Sequence, residues 1–430
     1  MNKSILFALL AFLIFNTSIL MAQWEATSFG QNSWTLCQAE NGNLIAANDI
    51  HPGLGGIYLS ENEGVTWVET DAGYYEYASH LVRSGSLYLG GNGCNVAISH
   101  DNGVTWINSN FDTLFPGVTL QDPMYAIEYH NGKIYASVSQ YGVVYTADEG
   151  LTWVLTDMNS LMGDTNPDDG GQWCYNLRSY NGKLYNVGAY GIWEYSDVED
   201  LWARVDDRWY AFNSCIAENI FYVVYNAPGI PNGIRYTTDF QNWGAMPLPV
   251  GVETTVEFLE YYGGAFFMGH VNDAFFYTMD HGETWIEYRQ NFPKFSPAPG
   301  VDRWGIPMDL IFSGESMFCG VFSPYGGVGG VYRAPVPAEV LSLDEMLERL
   351  HIVVYPNPAN DIVSIQFPQG QEIQGVLRIT DVMGRVIYNK SWENEGKNLI
   401  AISITTWPSG LYFYTLVCGD SKAVGKFLVK

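Results

Sequence analysis

Three aspartates lie where paired carboxylates could catalyse a hydrolysis. Asp206 and Asp207 follow one predicted strand, and Asp302 lies in a later connection of the same kind. Two carboxyl groups about 5–10 Å apart across a glycosidic bond can act as acid and base in its hydrolysis. We take these three as candidate catalytic residues and glycoside hydrolysis as the reaction they would support. Acids in comparable connections are Glu76, Asp168 and Asp169.

Aromatic and arginine side chains accompany these acids. Aromatic faces stack on the C–H faces of sugar rings, while carboxylates accept hydrogen bonds from hydroxyl groups. This end of the molecule is therefore the predicted ligand face, for a sugar or for a protein. The candidate ligand-binding residues are Tyr74, Tyr75, Trp173, Arg208, Trp209, Tyr210, Arg303 and Trp304.

A repeated octapeptide carries a further set of carboxylates. SENEGVTW (60–67), SHDNGVTW (99–106), TADEGLTW (146–153) and TMDHGETW (278–285) are near-copies, and YSDVEDLW (195–202) and TTDFQNW (237–243) are altered ones. Within such a turn the acid can accept backbone N–H groups, the glycine permits a positive φ and the tryptophan can pack between sheets. We therefore predict structural roles for Asn62, Trp67, Asp101, Trp106, Asp148, Trp153, Asp197, Trp202, Asp239, Trp243, Asp280 and Trp285.

The spacing of these turns predicts the fold. Successive tryptophans are 39, 47, 49, 41 and 42 residues apart, which is the period of a four-stranded propeller blade. A seventh unit at 308–335 has three strands, and residues 23–30 resemble the missing fourth, with Trp24 in the anchoring place. Such a closure would remove exposed sheet edges. The prediction is an all-β chain with a seven-bladed β-propeller over 23–335, six blades being the alternative.

The octapeptide S-x-D-x-G-x-T-W resembles the Asp-box, or BNR repeat, of sialidases, xyloglucanase-type hydrolases and sortilin-type receptors. The resemblance covers roughly residues 24–335 and implies a propeller whose boxes lie on the rim, away from the ligand face. It is informative about fold and weakly informative about function. The arginine that precedes Ile-Pro in the sialidase signature is missing at 304–307, which disfavours sialidase activity.

The two ends of the chain predict export. Residues 1–22 carry Lys3 and an apolar run, as a secretory signal peptide does. After a linker at 336–349, residues 350–430 resemble the type A sorting domain of the type IX secretion system, through Tyr355-Pro-Asn-Pro, Asp381-x-x-Gly-Arg and Pro408-Ser-Gly-Leu-Tyr. The resemblance implies the secretion machinery as a partner and release or display at the surface of a Gram-negative bacterium. The texture of short alternating strands predicts a small Ig-like β-sandwich.

Composition narrows the remaining choices. The formal net charge of −26 disfavours nucleic acid and anionic membranes, and no later segment is apolar enough to span a bilayer. Cys174 and Cys215, in what look like similar places of consecutive repeats, could form a disulfide or remain buried thiols. No zinc spacing or phosphate loop occurs, and we predict no metal or cofactor beyond Ca²⁺ at the oxygen-rich loop 163–171, for which a solvated acidic loop is the alternative.

The leading functional hypothesis is a secreted or cell-surface binding module for a glycan or a protein, without catalysis. The first alternative is a glycoside hydrolase that uses carboxylates of the ligand face. The second is a structural or adhesive surface protein with no small ligand.

Overall fold

The structure is a computed structural model of the chain. It describes residues 24–48, 56–72, 80–92, 94–114, 124–138, 142–158, 174–208, 211–226, 233–252, 256–272, 274–298, 301–324, 329–341, 353–366, 374–382, 384–393, 399–418 and 421–430. The predicted signal peptide lies outside this range. Contacts divide the chain into two units, the first of which ends at Val336.

The first unit is built almost entirely of short strands. In chain order they are β1 (Glu25–Ala26), β2 (Ser33–Gln38), β3 (Leu44–Asn48), β4 (Ile57–Ser60), β5 (Val68–Glu69), β6 (His80–Ser84), β7 (Leu87–Asn92), β8 (Asn95–Ser99), β9 (Ile107–Asn110), β10 (Met124–His130), β11 (Lys133–Val138), β12 (Gly142–Thr146), β13 (Val154–Leu155), β14 (Cys174–Tyr180), β15 (Lys183–Gly188), β16 (Gly191–Ser196), β17 (Leu201–Asp206), β18 (Ala211–Ala217), β19 (Ile220–Tyr225), β20 (Gly233–Thr237), β21 (Gly244–Met246), β22 (Val256–Tyr262), β23 (Ala265–His270), β24 (Ala274–Thr278), β25 (Ile286–Glu287), β26 (Lys294–Ala298), β27 (Val301–Trp304), β28 (Ile306–Ser313), β29 (Ser316–Phe322) and β30 (Gly330–Pro335). A short 3₁₀ helix spans Asp112–Leu114. Residues 338–341, which belong to the second unit, are helical.

These strands form seven four-stranded sheets within the described residues. Sheets 1 to 6 each take four consecutive strands, β2–β5, β6–β9, β10–β13, β14–β17, β18–β21 and β22–β25, and sheet 7 has the order β28-β29-β30-β1. Tight turns such as Asn131-Gly132, with φ of 46° and 79°, join the first two strands of a sheet. A two-stranded hairpin, β26–β27, precedes sheet 7.

The N-terminal strand completes the last sheet. Glu25 pairs with Arg333 and Ala26 with Tyr332 in antiparallel register. Trp24 is 3% exposed, and its indole nitrogen donates to the Tyr288 carbonyl at 2.8 Å. Sheet 7 also contacts sheet 1 through β28 and β2, so the first and last sheets are neighbours.

The octapeptide turns are closed by their own side chains. Asp101 Oδ1 accepts the Thr105 backbone N–H at 2.9 Å, and its Oδ2 accepts the Thr105 hydroxyl at 2.6 Å. The Ser99 hydroxyl donates to Asp101 at 2.9 Å and accepts the Gly103 N–H at 3.0 Å. Gly103 has φ of +80°, which favours glycine, and a Cβ there would also push against Ile45 Cδ1 at 2.5 Å.

The same bonds recur in the other well-preserved copies. The equivalent threonine N–H groups donate to Asn62, Asp148 and Asp280 at 2.8, 2.8 and 2.9 Å. In the shortened copy, Asp239 accepts the backbone N–H groups of Gln241 and Asn242 instead, at 2.9 and 2.8 Å.

Asp197, in the fourth copy, behaves differently from the prediction that it ties its own turn. Its oxygens accept from Asn131 Nδ2 at 2.7 Å and from the Tyr135 hydroxyl at 3.1 Å, both in sheet 3. The threonine of the intact motif is replaced by Leu201, so the turn offers no hydroxyl for this carboxylate. Asp197 therefore joins neighbouring sheets.

The turn tryptophans pack into the hydrophobic contacts between sheets to different depths. Trp106 and Trp202 are buried, at 6% and 3% exposure, whereas Trp67, Trp153, Trp243 and Trp285 are half-buried. Trp106 lies in a cluster with Ile45 of sheet 1 and Ala97 of sheet 2. The largest fully buried side chains of this unit are all aromatic, and Phe221, Phe266 and Phe318 are among them.

The cysteines at 37, 94, 174, 215 and 319 are buried, and none of these five forms a disulfide. The disulfide alternative for Cys174 and Cys215 is therefore wrong. Strand register gives the reason: Cys174 pairs with Gly188 at the start of β14, whereas Cys215 pairs with Tyr222 near the end of β18, so they do not occupy equivalent places.

The second unit contains two antiparallel sheets. Its strands are β31 (Val353–Tyr355), β32 (Ile362–Gln366), β33 (Gln374–Asp381), β34 (Val386–Glu393), β35 (Leu399–Ser403), β36 (Gly410–Cys418) and β37 (Ser421–Val429). The sheet orders are β31-β32-β35 and β34-β33-β36-β37. Residues of both sheets, among them Val363, Ile365, Leu377 and Phe427, form one buried cluster.

Each sequence motif of this unit makes a defined contact. Asn357 Oδ1 accepts the Leu428 N–H at 2.9 Å, which ties the YPNP segment to the last strand. Arg385 forms a salt bridge of 2.7 Å with Asp381 across a turn at Gly384. The Tyr412 hydroxyl donates to the Pro408 carbonyl at 2.8 Å.

The turn carboxylates should contribute measurably to stability. Asp101→Ala removes the acceptor of three hydrogen bonds, and we expect it to lower the free energy of unfolding by about 1–2 kcal/mol. Asp101→Asn is the matched control, because Asn62 makes the same backbone contact in sheet 1, and it should cost about half as much or less. Urea unfolding followed by tryptophan fluorescence measures both, and equal midpoints for Asp101→Ala and the parent would contradict the assignment.

The closing strand should matter more than an individual turn. Trp24 is buried against Phe275 and Phe292, at centroid distances of 5.1 and 5.3 Å. Trp24→Ala should therefore lower the free energy of unfolding by about 3–5 kcal/mol. Trp285→Ala, at a half-buried tryptophan, is the control and should cost clearly less; similar losses in thermal melts would refute the special role of Trp24.

Candidate functional site

The first strands of all seven sheets line one central cavity of about 310 Å³. Each first strand contributes one to four residues. The lining residues are Trp34, Thr35, Leu36, Leu81, Val82, Ala126, Ile127, Asn176, Leu177, Arg178, Asn213, Phe258, Glu260, Met308, Asp309, Leu310 and Ile311. This volume lies at the small end of the range for ligand pockets.

A β-bulge recurs at the same place in five of these first strands, and its position sets which side chains surround the cavity. The register shifts at Trp34, Tyr125, Tyr175, Phe212 and Met308. Bulges re-aim a side chain and increase local twist. The bulges lie near the start of each first strand. The residues that follow them line the cavity, as do the bulged residues Trp34 and Met308 themselves.

Three bulged residues form an aromatic arc, which we define as Tyr125, Tyr175 and Phe212. Ring centroids are 5.8 Å apart for Tyr125 and Tyr175, and 5.3 Å apart for Tyr175 and Phe212. Because the strands of each sheet alternate in direction, the start of the first strand lies at the opposite end from the octapeptide turn, which joins the third and fourth strands. The arc therefore lies at the end predicted to be the ligand face.

Asp309 is the most heavily bonded acid of the cavity. Its Oδ2 accepts the Leu36 N–H at 2.7 Å and the Thr35 hydroxyl at 3.0 Å, and its Oδ1 accepts the Leu310 N–H at 2.8 Å. Burial raises the pKa of this carboxyl to about 6, although the hydrogen bonds and the Arg178 charge act against burial. Asp309 thus fastens β28 to β2.

Glu260 lies in the same cavity with fewer partners. Burial, reinforced by the negative charge of Asp309 and opposed by Arg178, raises the pKa of its carboxyl to about 8. Among the residues that the structure describes, none donates a hydrogen bond to this carboxyl. Protein surrounds the side chain, yet the cavity leaves part of it accessible.

Arg178 is the cation of the cavity lining. Its Nη2 and Nε donate to the Ser214 carbonyl at 3.2 and 3.3 Å. The guanidinium is therefore anchored to backbone while its charge lowers the pKa values of Glu128, Glu260 and Asp309. Burial nevertheless raises the pKa values of Glu128 and Glu257 to about 7.

The side chains of Asp206 and Arg208, both predicted site residues, connect sheet 4 to sheet 5. Arg208 Nη1 lies 3.0 Å from Asp206 Oδ1, and the guanidinium lies 4.6 Å over the Trp243 ring of sheet 5. The Tyr225 hydroxyl, also in sheet 5, donates to Asp206 Oδ2 at 2.7 Å. Asp206 is 8% exposed, whereas Asp207 is exposed.

Asp302, Arg303 and Trp304 lie in the β26–β27 hairpin. The Ser296 hydroxyl donates to Asp302 at 2.5 Å. Trp304 lies beneath two cations, Lys294 at 3.9 Å and Arg289 at 5.5 Å from its ring centroid. Asp302 and Arg303 are exposed, and none of the contacts described joins Asp302 to Asp206.

Several sequence candidates lie outside the described residues. They are Tyr74, Tyr75, Glu76, Asp168, Asp169, Trp173, Trp209, Tyr210 and the proposed Ca²⁺ loop 163–171. Within the described ranges, no group of three or more His, Cys, Asp or Glu side chains is arranged to hold a metal ion.

A Ser-His-Asp chain occurs at the octapeptide end, the end opposite to the predicted ligand face. His130 is 3% exposed, with Nδ1 2.6 Å from the Ser179 hydroxyl and Nε2 3.4 Å from Asp197. Asn131 Nδ2 lies 3.0 Å from His130 Nε2 and also donates to Asp197. These groups belong to sheets 3 and 4, so the contacts tie neighbouring sheets together.

The sequence reasoning missed Glu128, Arg178, Glu257, Glu260 and Asp309. The first strands share a four-residue frame. Five frames begin at a bulge, WTLC (34–37), YAIE (125–128), YNLR (175–178), FNSC (212–215) and MDLI (308–311), and EFLE (257–260) is the corresponding frame of β22. The missed charges occupy the fourth place of YAIE, YNLR and EFLE, the first place of EFLE and the second place of MDLI, so a charge within this frame of an otherwise apolar strand is the signal that could have found them.

Comparisons with known proteins bear on the two units separately. Residues 353–430 match the family described as the secretion system C-terminal sorting domain. The predicted type IX sorting domain is therefore confirmed, and it indicates secretion or cell-surface localisation in the Bacteroidetes. The described residues include no helix of the length and apolar character needed to cross a membrane.

Solved structures support the all-β, propeller-like fold. The extracellular domain of BT4673 from B. thetaiotaomicron is 11% identical with a TM-score of 0.51; the match covers 95% of this chain and 59% of that one. YCF48 from Cyanidioschyzon merolae is 12% identical with a TM-score of 0.50, over 74% of this chain and 99% of that one. A search of curated proteins gives no match. The chain is thus an exported all-β protein that joins a propeller-like unit to a type IX secretion sorting domain.

Proposed function

We propose that the chain is an exported, non-catalytic binding module for an extracellular glycan or protein. In this proposal the first unit is a seven-bladed β-propeller of the Asp-box kind, residues 1–22 are a signal peptide and the second unit is Ig-like. The observation that carries the binding role is the central cavity, lined by the first strands of all seven sheets and flanked by the aromatic arc.

The blade count is supported by the sheet order and by closure. Seven sheets of four strands follow one another, and β1 supplies the fourth strand of the last. The Asp-box identity is supported by the repeated contacts of Asn62, Asp101, Asp148 and Asp280 with the backbone of their own turns.

Binding is favoured over catalysis by the state of the carboxylates. A retaining or inverting glycosidase needs two carboxyl groups free to exchange protons or attack the sugar. Both oxygens of Asp309 already accept hydrogen bonds, and Asp206 is occupied by Arg208 and Tyr225. Glu260 is thus left without a free partner acid among the described lining residues.

Glycoside hydrolysis remains the second candidate for one reason. Glu260 and Asp309 interact electrostatically across the cavity, and the raised pKa of Glu260 suits a general acid. Loss of activity on a glycoside in Glu260→Gln, with binding retained, would establish this alternative.

The second unit should be required for passage across the outer membrane. Truncation after residue 352 removes the sorting domain, and the first unit should then accumulate in the periplasm of a type IX-competent host. Cell fractionation with an antibody against the first unit measures this. Normal amounts at the surface or in the medium would contradict the assignment, and Asp101→Asn in the full chain serves as the export-competent control.

The aromatic arc should carry ligand affinity. The chain of residues 23–430 should bind a subset of glycans on an array or an extracellular protein in a surface pull-down. Tyr175→Ala should weaken that interaction about tenfold or more, since tyrosine is enriched among the contact residues whose truncation costs about 2 kcal/mol or more. Trp285→Ala, at the octapeptide end, should leave binding unchanged; retention of full affinity by Tyr175→Ala would move the site elsewhere, and no ligand in either screen would favour a purely structural surface protein.

A further inference from the structure

We propose that the central cavity binds a primary ammonium group, held by the carboxylate of Glu260. This inference rests on the proposed binding role, because it names the ligand chemistry of the same cavity. Two kinds of extracellular molecule carry such a group: proteins, through lysine side chains, and glycans, through amino sugars. The primary ammonium is common to both.

The charged residues that line the cavity differ in how much of their hydrogen-bonding capacity remains available to a ligand. Arg178 donates to the Ser214 carbonyl, and Asp309 accepts from Leu36, Thr35 and Leu310. Glu260 receives no hydrogen bond from the residues that the structure describes, although it is enclosed by protein. An ammonium has three donors and one positive charge, which match the two acceptor oxygens and the charge of an ionised carboxylate.

The charge balance of the cavity also favours a cation. The charged groups that act on Glu260 from neighbouring strands are Asp309 of β28 and Arg178 of β14. The Cys215 thiol of β18 also lies near Glu260, whose charge raises the pKa of the thiol. When Glu260 is ionised, as it is above pH 8 or beside a bound ammonium, one guanidinium opposes the carboxylates of Glu260 and Asp309, so one negative charge is left for the ligand to balance. Glu128 of β10, whose carboxyl also interacts with Arg178, adds a further negative charge opposite this guanidinium when it ionises.

The cavity can also accommodate the rest of such a ligand. Its volume of about 310 Å³ admits a short alkyl chain or one sugar ring. Trp34, Leu36 and Phe258 give the lining an apolar part for the ligand's carbon atoms. Trp34 adds a π-face, which attracts cations.

Binding should be coupled to loss of a proton. Because the pKa of Glu260 is raised to about 8, the empty cavity holds this carboxyl protonated at neutral pH. An ammonium stabilises the ionised form, so one proton leaves Glu260 for each ammonium that enters. Affinity should therefore rise about tenfold per pH unit below pH 8 and level off above it.

Isothermal titration calorimetry of residues 23–430 with Nα-acetyl-lysine amide tests the proposal. We expect binding that strengthens from pH 6 to pH 8, and close to one proton released at pH 6.5, read from two buffers of different ionisation enthalpy. Nα-acetyl-norleucine amide, the neutral analogue, should bind at least tenfold more weakly. Glucosamine against N-acetylglucosamine at pH 6.5 is the parallel arm, and the tighter of the two amines identifies the source.

Glu260→Gln resembles the protonated acid in shape and should keep the fold, as checked by thermal melting. It should weaken amine binding at least tenfold at pH 8 and abolish the pH dependence. Glu199→Gln, in an exposed turn at the octapeptide end, removes the same charge and should change neither.

Equal binding of the amine and its neutral analogue, or amine binding without proton release, would overturn the inference even without the variant. So would parent-like binding by Glu260→Gln. A macromolecular ligand found on the array or in the pull-down, with no amine binding, would sink the ammonium inference alone; no ligand of either kind would sink the proposed function as well.

Discussion

The pairing of β1 with β30 is the contact on which the first unit depends. Each of the other six sheets is formed by four consecutive strands, whereas sheet 7 needs a strand from the far end of the chain. Trp24 secures that strand through buried ring contacts and one hydrogen bond. Since β28 also contacts β2, this closure holds the first strands of sheets 1 and 7 side by side, and the Asp309 bonds to β2 depend on it.

The central cavity follows from how the first strands are built. Five of them carry a bulge at one position, so five large side chains leave the regular alternation just before the cavity. The residues that follow mix apolar contacts with Asn176, Arg178, Glu260 and Asp309. Because these polar groups share a small enclosed space, each carboxyl there is harder to ionise than it would be in water.

The sequence predicted the architecture more fully than the site, and the reason is physical. The octapeptide acts within eight residues, so the roles of Asp101, Gly103 and Trp106 can be worked out from local hydrogen-bonding chemistry. Even the placement of residues 23–30 beside the last unit could be read from the repeat, because the strand resembles its counterparts. Asp197 shows where this local reasoning fails. Its hydrogen-bond donors, Asn131 and Tyr135, lie in the preceding sheet, and no pattern within the octapeptide predicts them.

The site was harder because it is assembled from residues far apart in sequence. The sequence singled out Asp206 and Asp302 as acids in connecting segments. In the structure Asp206 forms an ion pair with Arg208, and Asp302 accepts a hydrogen bond from Ser296. Glu260 did not stand out, because a single acid in an apolar strand resembles a solvent-facing position until six other strands surround it. The register shift that aligns the frames WTLC, YAIE and YNLR is also not visible as a sequence pattern until the bulges are known.

The closure of sheet 7 has a consequence for the order of events in the life of the chain. Glu25 is made early, whereas its partner Arg333 follows about 300 residues later. Contacts between residues so distant in sequence form slowly, because the entropy of closing a long loop is lost before the contacts contribute favourable free energy. Sheet 7 can therefore be completed only after the strands between Glu25 and Arg333 have been made.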